Sequence, residues 1–459
     1  MNTIRPSRFR IALLGLALLL AARAPGFAAD TLVWNKEKDR VDADVRGWTL
    51  SQFLERVAAD TGWQVYVEPS ATHNVSAKFK DLPSGEALRL LLGDLNFAMV
   101  PQTNASPRLF VFRTEMRNAT QPVPAPPKPS AAALAKKVPN ELIVKLKPGA
   151  DIEELARRLG AKVVGRIPEL NAYRLQFDDA AATDAARGQL ANNPDATSVE
   201  DNYYVNIPMQ PQPVTGVSAA PVQLKFSPPP ETGKVIVGLV DTAVQPLGSD
   251  LEQFIKQRIS VAGDSPTDNS EPLHGTAMLL TLFRAMQLTE NGSSSAPIVS
   301  VDVFGASETA NTFNVASGLI QAGNSGATVI NSSLGGYGDS SLLGDAVKLL
   351  SDHGVQIIAA MGNDHSSDPF YPASYPQVIS VTALSQPGEI APYANHGSTP
   401  DAAAPGTVLV LYNGKTYVVQ GTSPSTAIFT GVAAGIADMT HAPWTQVVPT
   451  VEKNLPVPK

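Results

Sequence analysis

Cysteine is absent from this chain of 459 residues. Disulfide bridges, a reactive thiol and a thiolate-bound zinc site are therefore excluded. Histidine is scarce, and the 6 histidines are too scattered for the short spacings of a metal centre. We expect no cofactor and no metal site of that kind. A structural calcium ion stays open, because carbonyl and carboxylate ligands leave little trace in a sequence.

Clustered positive charge is also missing. The formal net charge is −7, and the 35 Lys and Arg residues are dispersed, which argues against a nucleic-acid partner.

A long apolar run occurs once, at residues 11–20, after Arg5, Arg8 and Arg10 and before a small-residue exit at Ala28 and Ala29. This pattern predicts a secretory signal, residues 1–29, and an exported protein, periplasmic or secreted. An uncleaved membrane anchor is the alternative, although the run is short for a span.

Residues 30–115 have the pattern of a small α+β domain. A capping box at Thr49–Gln52 opens one predicted helix, a second covers residues 84–93, and short strands are expected at 65–67, 75–79, 97–100 and 109–112. The order resembles the short N-terminal domain of secretins and TonB-dependent receptors. That resemblance implies contacts with an envelope protein and no chemistry. A generic α+β spacer is the alternative.

Two proline-rich stretches, residues 116–138 and 209–232, read as linkers. Between them, residues 139–208 predict the order βαββαβ, with helices at 152–159 and 181–192. That order is typical of a ferredoxin-like sandwich. The fold alone implies no function.

The stretch around Ser423 is the most informative part of the chain. Gly421 and Thr422 precede this serine, Pro424 follows it, and an apolar, Ala-rich run through residues 427–437 predicts a buried helix. Unpaired N–H groups at a helix start favour developing negative charge, and proline suits the first helical position. By itself, such a serine is more often a plain helix cap.

Other polar residues stand where open α/β sheets place their sites. Asp241 ends an apolar strand, His274 opens an apolar helix, and Asn363 follows another apolar strand. In chain order the motifs read Val-Asp-Thr-Ala, His-Gly-Thr-Ala-Met, Ala-Met-Gly-Asn and Gly-Thr-Ser-Pro-Ser-Thr-Ala. This ordered set resembles the subtilisin-like serine proteases, or subtilases, over residues 233–440. We therefore expect a mostly parallel α/β sheet flanked by helices across residues 233–459.

The resemblance implies a role for each residue. Ser423 would be the nucleophile, His274 the base and Asp241 the residue that orients the imidazole. Asn363 and the N–H of Ser423 would bind the oxyanion. Ser333, Leu334 and Gly335 would pair with a peptide or protein substrate as an added strand. The ferredoxin-like domain directly ahead resembles the family's propeptide, which is an inhibitor.

Several positions depart from the family pattern. Pro424 replaces the usual methionine, and proline biases the preceding Ser423 away from helical dihedrals. Ala243 and Ala277 also differ, without removing a catalytic group. Ala427 stands roughly where the family has proline, and the changes around Ser423 argue for reduced activity. Three hypotheses follow: an exported, propeptide-regulated serine endopeptidase, a subtilase-fold protein that binds peptides without turnover, and an envelope scaffold.

Overall fold

The computed structural model describes residues 31–35, 39–101, 106–123, 135–206, 208–231, 234–290, 292–385, 389–396 and 400–458. The chain divides into two units between Lys128 and Pro129. The predicted signal, residues 1–29, lies outside the described residues. None of the helices in the described ranges is long and apolar enough to cross a bilayer.

The first unit is the predicted α+β domain. Its strands are β1 (Thr31–Asn35), β2 (Arg40–Thr49), β3 (Gln64–Val67), β4 (Asn74–Pro83), β5 (Asn96–Val100), β6 (Arg108–Phe112) and β7 (Gln121–Val123), and its helices are α1 (Leu50–Thr61) and α2 (Ser84–Leu92). One sheet has the order β1-β2-β4 and the other β5-β6-β3-β7. The predicted capping box forms: the Thr49 hydroxyl accepts from the Gln52 N–H, and the Gln52 side chain accepts from the Thr49 N–H.

The apolar faces of α1 and α2 make the core of this unit. Phe53, Leu54 and Val57 from α1 meet Leu88 and Leu91 from α2, and all five side chains are fully buried. β7 falls in the stretch predicted as the first linker, where it pairs antiparallel with β3. A short strand can hide in a proline-rich stretch, because proline is tolerated on a sheet edge.

The second unit begins with the predicted ferredoxin-like domain. Its elements are β8 (Lys137–Leu146), α3 (Ile152–Leu159), β9 (Lys162–Ile167), β10 (Ala172–Gln176), α4 (Ala180–Leu190) and β11 (Ala196–Asn206). The strands lie in the order β11-β8-β10-β9. The predicted βαββαβ order is confirmed.

The second predicted linker differs from the prediction. Two short strands, β12 (Gln212–Pro213) and β13 (Lys225–Phe226), lie within it. β12 pairs with a strand of the following domain, and so does β13. Between residues 212 and 227, several backbone N–H groups of this stretch donate to that domain, so this part is docked rather than free. Its proline content could not reveal this, because backbone pairing depends on the neighbouring strand.

The rest of the second unit is an α/β domain. Its strands are β14 (Val237–Asp241), β15 (Ile255–Ser260), β16 (Ser293–Ser294), β17 (Ile298–Asp302), β18 (Thr309–Asn311), β19 (Val329–Ser332), β20 (Gln356–Ala360), β21 (Val378–Leu384), β22 (Ala402–Pro405), β23 (Thr407–Tyr412) and β24 (Lys415–Gln420). Its helices are α5 (His274–Thr289), α6 (Thr312–Asn324), α7 (Ser341–Asp352), α8 (Thr422–Thr440) and α9 (Trp444–Asn454). The main sheet is parallel, in the order β15-β17-β14-β19-β20-β21-β22.

Helices cover both faces of the main sheet. Leu239 and Ile358 point toward the core that α5 and α8 share, whereas Val240 and Ile357 point toward the core of α6 and α7. Because neighbours along a strand face opposite sides, strands buried on both faces are apolar at nearly every position. This explains the uninterrupted apolar runs in the sequence. The parallel order of the strands also brings the carboxyl ends of β14, β19 and β20 to one edge of the sheet, where α5 and α8 begin.

Candidate active site

Asp241 and His274 form a buried pair at this edge. Asp241 is the last residue of β14 and His274 the first of α5, and the distance from Asp241 Oδ1 to His274 Nδ1 is 2.7 Å. Both side chains are fully buried. Among the described residues, no group hydrogen-bonds to His274 Nε2. Because the carboxylate accepts the proton on Nδ1, the neutral ring presents Nε2 as an acceptor.

Gly275 allows this approach. A Cβ at this position would lie 2.2 Å from the carbonyl oxygen of Thr242. Without it, the Gly275 N–H donates to the Thr242 hydroxyl over 2.8 Å, and the Thr242 N–H donates to Asp241 Oδ1 over 2.7 Å. The start of α5 is thereby tied to the end of β14, and the imidazole is held against the carboxylate.

Ser423 lies in the first turn of α8, where it is hydrogen bonded to Ser333. The Ser423 hydroxyl donates to the carbonyl of Ser333 over 3.0 Å, and the Ser333 hydroxyl donates to the carbonyl of Ser423 over 3.0 Å. Ser333 in turn accepts from Asn331 over 2.9 Å, and Asn331 accepts from Thr430 on α8 over 3.0 Å. This buried chain of side chains joins α8 to the end of β19. In this structure the Ser423 hydroxyl therefore points to Ser333 and not to His274.

The position of Pro424 differs from the prediction. Helix α8 begins at Thr422, with Gly421 as its N-cap, so Pro424 is its third residue rather than its first. The first four N–H groups of a helix have no partner within the helix, so proline costs no hydrogen bond there. Ser423 is nevertheless helical, although the residue before proline disfavours that conformation.

Asn363 lies three residues beyond the end of β20, in a loop that lines the same cavity as Ser423. Its Oδ1 accepts from the N–H of Thr422 over 2.8 Å and from the Thr422 hydroxyl over 3.1 Å. With Oδ1 occupied, the amide Nδ2 is the end left to donate. A Cβ on Gly421, whose φ is 140°, would lie 3.0 Å from this nitrogen. Glycine at 421 therefore keeps space beside the amide.

These residues surround a cavity of about 280 Å³. Ser333, Leu334 and Gly335 line one side, and Asn363 and Ser423 line it as well. The predicted substrate-binding residues therefore lie next to the predicted nucleophile. Residues 333–335 follow β19 without belonging to it, so their backbone is not committed to that strand.

Tyr337, Asp364 and Phe370 also line the cavity, and Asn395 contacts Tyr337. Tyr337 packs edge-on against Phe370, with ring centroids 5.2 Å apart. Its hydroxyl donates to Asp364 over 2.7 Å and accepts from Asn395 over 3.2 Å. Burial, followed by the hydrogen bond to Asp364, raises the pKa of Tyr337. This group was not predicted from the sequence, because its four members come from three separate loops.

The ferredoxin-like domain leads its own chain into the cavity. Its last strand, β11, pairs antiparallel with β18, with Tyr204 opposite Asn311. Pro208 and Met209, which follow β11, line the cavity beside Ser423. Ile207 lies outside the described residues. The chain therefore passes from β18 to Ser423, along the path predicted for a substrate.

Two side chains of β11 also cap helices of the α/β domain. The Glu200 carboxylate accepts from the N–H groups of Ser341 and Leu342, over 2.7 and 2.9 Å, at the start of α7. Asn202 accepts from the N–H of Phe313 over 3.1 Å at the start of α6. N-terminal helix ends attract such acceptors. Both contacts are long-range and left no local signal in the sequence.

Two buried acidic sites were also missed. Asp302, which ends β17 beside Asp241, is 2% exposed and accepts from the N–H groups of Phe304 and Gly305. Burial raises its pKa. Glu290 and Asp438 lie together where α5 and α8 end, and burial, with the neighbouring Asp438, raises the pKa of Glu290 to about 9.

Within the described ranges, no group of three or more His, Asp or Glu side chains could hold a metal ion.

The parallel sheet and the residues at its edge define a subtilisin-like α/β protein. A model of the subtilase family matches residues 232–451, and a model of the fervidolysin N-terminal prodomain matches residues 125–202. Thermitase from Thermoactinomyces vulgaris is 31% identical over 206 residues, which are 44% of this chain and 74% of thermitase. The chain belongs to the subtilase family of serine proteases and is a hydrolase that carries a prodomain.

Other relatives agree with this assignment over different lengths. A thermophilic serine proteinase from Bacillus sp. strain AK1 is 28% identical over 332 residues, 65% of this chain and 78% of that protein. M-protease from Shouchella clausii is 37% identical over 155 residues, which are 33% of this chain and 40% of that protein. The crystal structure of fervidolysin from Fervidobacterium pennivorans matches with a TM-score of 0.53 at 23% identity, over 69% of this chain and 57% of that one. This last likeness supports the fold.

Proposed function

We propose that the protein is an exported serine endopeptidase in which Asp241, His274 and Ser423 form the triad. The observation that carries the proposal is the fully buried hydrogen bond of 2.7 Å between Asp241 Oδ1 and His274 Nδ1, which leaves Nε2 without a partner among the described residues. An unpaired acceptor in a buried ring is costly, and a catalytic base needs one.

The reaction follows from these groups. The Ser423 oxygen attacks the scissile carbonyl carbon while its proton passes to His274 Nε2. The protonated imidazole, held by Asp241, then gives this proton to the leaving amine as the C–N bond breaks. Water hydrolyses the resulting acyl-enzyme by the same steps, and Ser423 regains its proton. Rotation about the Cα–Cβ bond of Ser423, away from the carbonyl of Ser333, must precede attack.

Asn363 is suited to hold the oxyanion. Thr422 fixes its Oδ1 through two hydrogen bonds, so Nδ2 is oriented before the substrate arrives. We assign the second donor to the N–H of Ser423, which Pro424 does not remove. Donors oriented in advance lose no energy to reorganisation when charge develops.

The prodomain regulates this site by occupying it. β11 pairs with β18, and Pro208 and Met209 lie beside Ser423. A chain in this place is both a first substrate and an inhibitor. We further propose export to the periplasm or the medium, and contacts between the first domain, residues 30–115, and an envelope protein.

A second function is supported by one observation. The Ser423 hydroxyl donates to Ser333 and not to His274. If Pro424 keeps Ser423 in this conformation, the cleft binds peptides without cleaving them. The protein would then be a peptide-binding or scaffold module of the envelope.

Labelling with a fluorophosphonate probe separates the two functions. Only an activated serine reacts, so the wild-type protein should be labelled at Ser423 once its prodomain is removed. Ser423→Ala should not be labelled, and Ser425→Ala, a matched loss of a nearby hydroxyl, should retain labelling. Absence of labelling in folded wild-type protein would favour the binding module.

A further inference from the structure

The stretch that follows the cavity forms a strand next to the nucleophile. We call residues 209–226 the N-terminal arm. Gln212 lies opposite Val418 and Pro213 opposite Tyr417, on β24. β24 leads directly into Gly421 and Ser423. The antiparallel register, continued toward the site, carries the arm past Gln420 to the cavity that Met209 lines.

This edge of β24 is where the leaving side of a substrate would extend. The prodomain reaches the cavity along β18, and the chain leaves it along β24. The first path corresponds to the acyl side of a substrate, which is the chain before the scissile bond. The second corresponds to its leaving side, which is the chain after that bond. The other edge of β24 is already paired with β23. The arm therefore fills the one edge of β24 that a substrate could use.

The arm is anchored well beyond β12. The Val214 N–H donates to the carbonyl of Thr416 over 3.0 Å, and the Ala219 N–H donates to the Thr416 hydroxyl over 3.0 Å. Arg284 of α5 donates to the carbonyls of Ala220 and Pro221. Further along, Leu224 is 3% exposed and β13 pairs with β16. Cutting the chain before the arm breaks none of these contacts.

Prolines close the outer edge of the arm. Along an antiparallel strand, successive N–H groups point alternately toward the partner and away from it. The Val214 N–H faces β24, so the N–H positions of residues 211 and 213 face away. Both residues are proline and have no N–H to donate. A substrate therefore finds no donors at these two positions on the outer side of the arm.

We propose that residues 212–226 of the arm stay in place after maturation and limit substrate recognition to the acyl side and about two leaving-side residues. The inference rests on the proposed peptidase function. The mature enzyme would recognise peptides through β18 and residues 333–335. Substrate residues beyond the second one on the leaving side would form no strand pairing with the enzyme. The arm is thus a specificity-determining segment.

A series of peptides with one acyl side and leaving sides of one to six residues tests this. For the mature wild type, kcat/KM should change less than about twofold between leaving sides of three and six residues. Val214→Pro removes the N–H that binds Thr416 and should let kcat/KM rise about three- to tenfold over the same range. Val214→Ala keeps the N–H and should behave as the wild type.

Hydrogen exchange gives a readout that does not depend on the variants. The amide of Val214 should remain protected in the mature wild-type enzyme. Rapid exchange there, or a wild-type kcat/KM that keeps rising to six residues, would show that the arm leaves β24. If kcat/KM levels off at the same leaving-side length in folded Val214→Pro and in the wild type, the arm does not limit substrate recognition. If wild type cleaves none of the peptides, the proposed function fails first and this inference fails with it.

Discussion

At the scale of single residues, the site depends on fixed orientation more than on unusual side chains. Ser333, Asn331 and Thr430 hold the turn that carries Ser423, and Thr422 fixes Asn363. Sequence motifs pointed to Asp241, His274, Ser423 and Asn363 as candidate site residues because each follows or opens an apolar element. They could not identify Asn331 or Thr430, since a polar residue within an apolar run shows no partner in sequence.

Removing the nucleophile or its base should abolish hydrolysis. Ser423→Ala, His274→Ala and the double variant should lose activity to the same extent, because the members of a triad act as a unit. Peptide hydrolysis would be measured for each, with circular dichroism to verify folding. Wild-type hydrolysis by Ser423→Ala would disprove the assignment.

Asn363→Ala should affect the transition state more than binding. Loss of one oxyanion donor should lower kcat by roughly 10²–10³, with little change in KM. Steady-state kinetics on one peptide would measure both values. Asn395→Ala is a useful comparison, since Asn395 accepts from the N–H groups of Asp364 and Ser366 in the loop that carries Asn363, but donates to Tyr337 instead. An equal loss in both variants would point to loop distortion.

Glu290 should make the enzyme lose stability as pH rises. Burial raises its folded-state pKa to about 9 from an ordinary value of 4.5, with Asp438 beside it. Between these values the folded protein keeps a proton that the unfolded chain releases, so the free energy of unfolding falls as pH increases. It levels off above about pH 9.

The variant Glu290→Gln removes this titration. Its free energy of unfolding should fall less steeply between pH 5 and 9 than that of the wild type, by roughly 1–2 kcal/mol once partial exposure is considered. Denaturant melts at several pH values, in the Ser423→Ala background to prevent self-digestion, would measure this. Asp438 itself contributes the opposite trend at acid pH: burial raises its pKa, but hydrogen bonds from Ser295, Glu290 and Ser294 together lower it below the ordinary value. Parallel curves for both proteins would contradict the prediction.

At the scale of elements, periodicity predicted the helices and buried strands well. The run before Asp241 became β14, and the run after His274 became α5. β7 and β12 were not predicted, because their pairing depends on strands elsewhere in the fold. The start of α8 was misplaced by two residues for a related reason: Gly421 caps it through backbone geometry that leaves no helix-start signature.

The cap that Glu200 provides to α7 should stabilise the uncleaved protein. Its carboxylate accepts from the Ser341 and Leu342 N–H groups at a helix start. Glu200→Ala in the Ser423→Ala background should lower the free energy of unfolding by about 1–3 kcal/mol. Glu200→Gln, which retains one acceptor oxygen, should lose less. Equal stability of the three proteins, measured by urea denaturation, would rule out this role.

At the scale of the whole molecule, the path of the chain through the cleft predicts self-cleavage. Asn206 pairs on β18 and Gln212 pairs on β24, so the bond cut must lie between them. Bonds that precede Pro208 and Pro211 are poor candidates, because proline on the leaving side has no N–H. Of the bonds that remain, those that follow Pro208 and Met209 lie at the cavity that Ser423 lines. We therefore expect the mature enzyme to begin at Met209 or Gln210, as intact-mass measurement would show.

Ser423→Ala should keep its prodomain covalently attached. The same fragment from this variant, made in a host without contaminating protease, would mean that another enzyme makes the cut. Active wild-type enzyme that still carries an uncut prodomain would leave the triad standing and refute this maturation scheme.

The burial of helix α8 determines how the enzyme should lose activity on storage and heating. The helix is buried along most of its length, and Ala427, Phe429, Ala433 and Ala434 are fully enclosed by the core. Such a helix cannot fray without opening the domain, so its amide hydrogens should exchange at the rate of global unfolding. Heat should then not produce a folded but inactive enzyme. Loss of activity and loss of the fold should be one event, and shelf life should follow the unfolding rate.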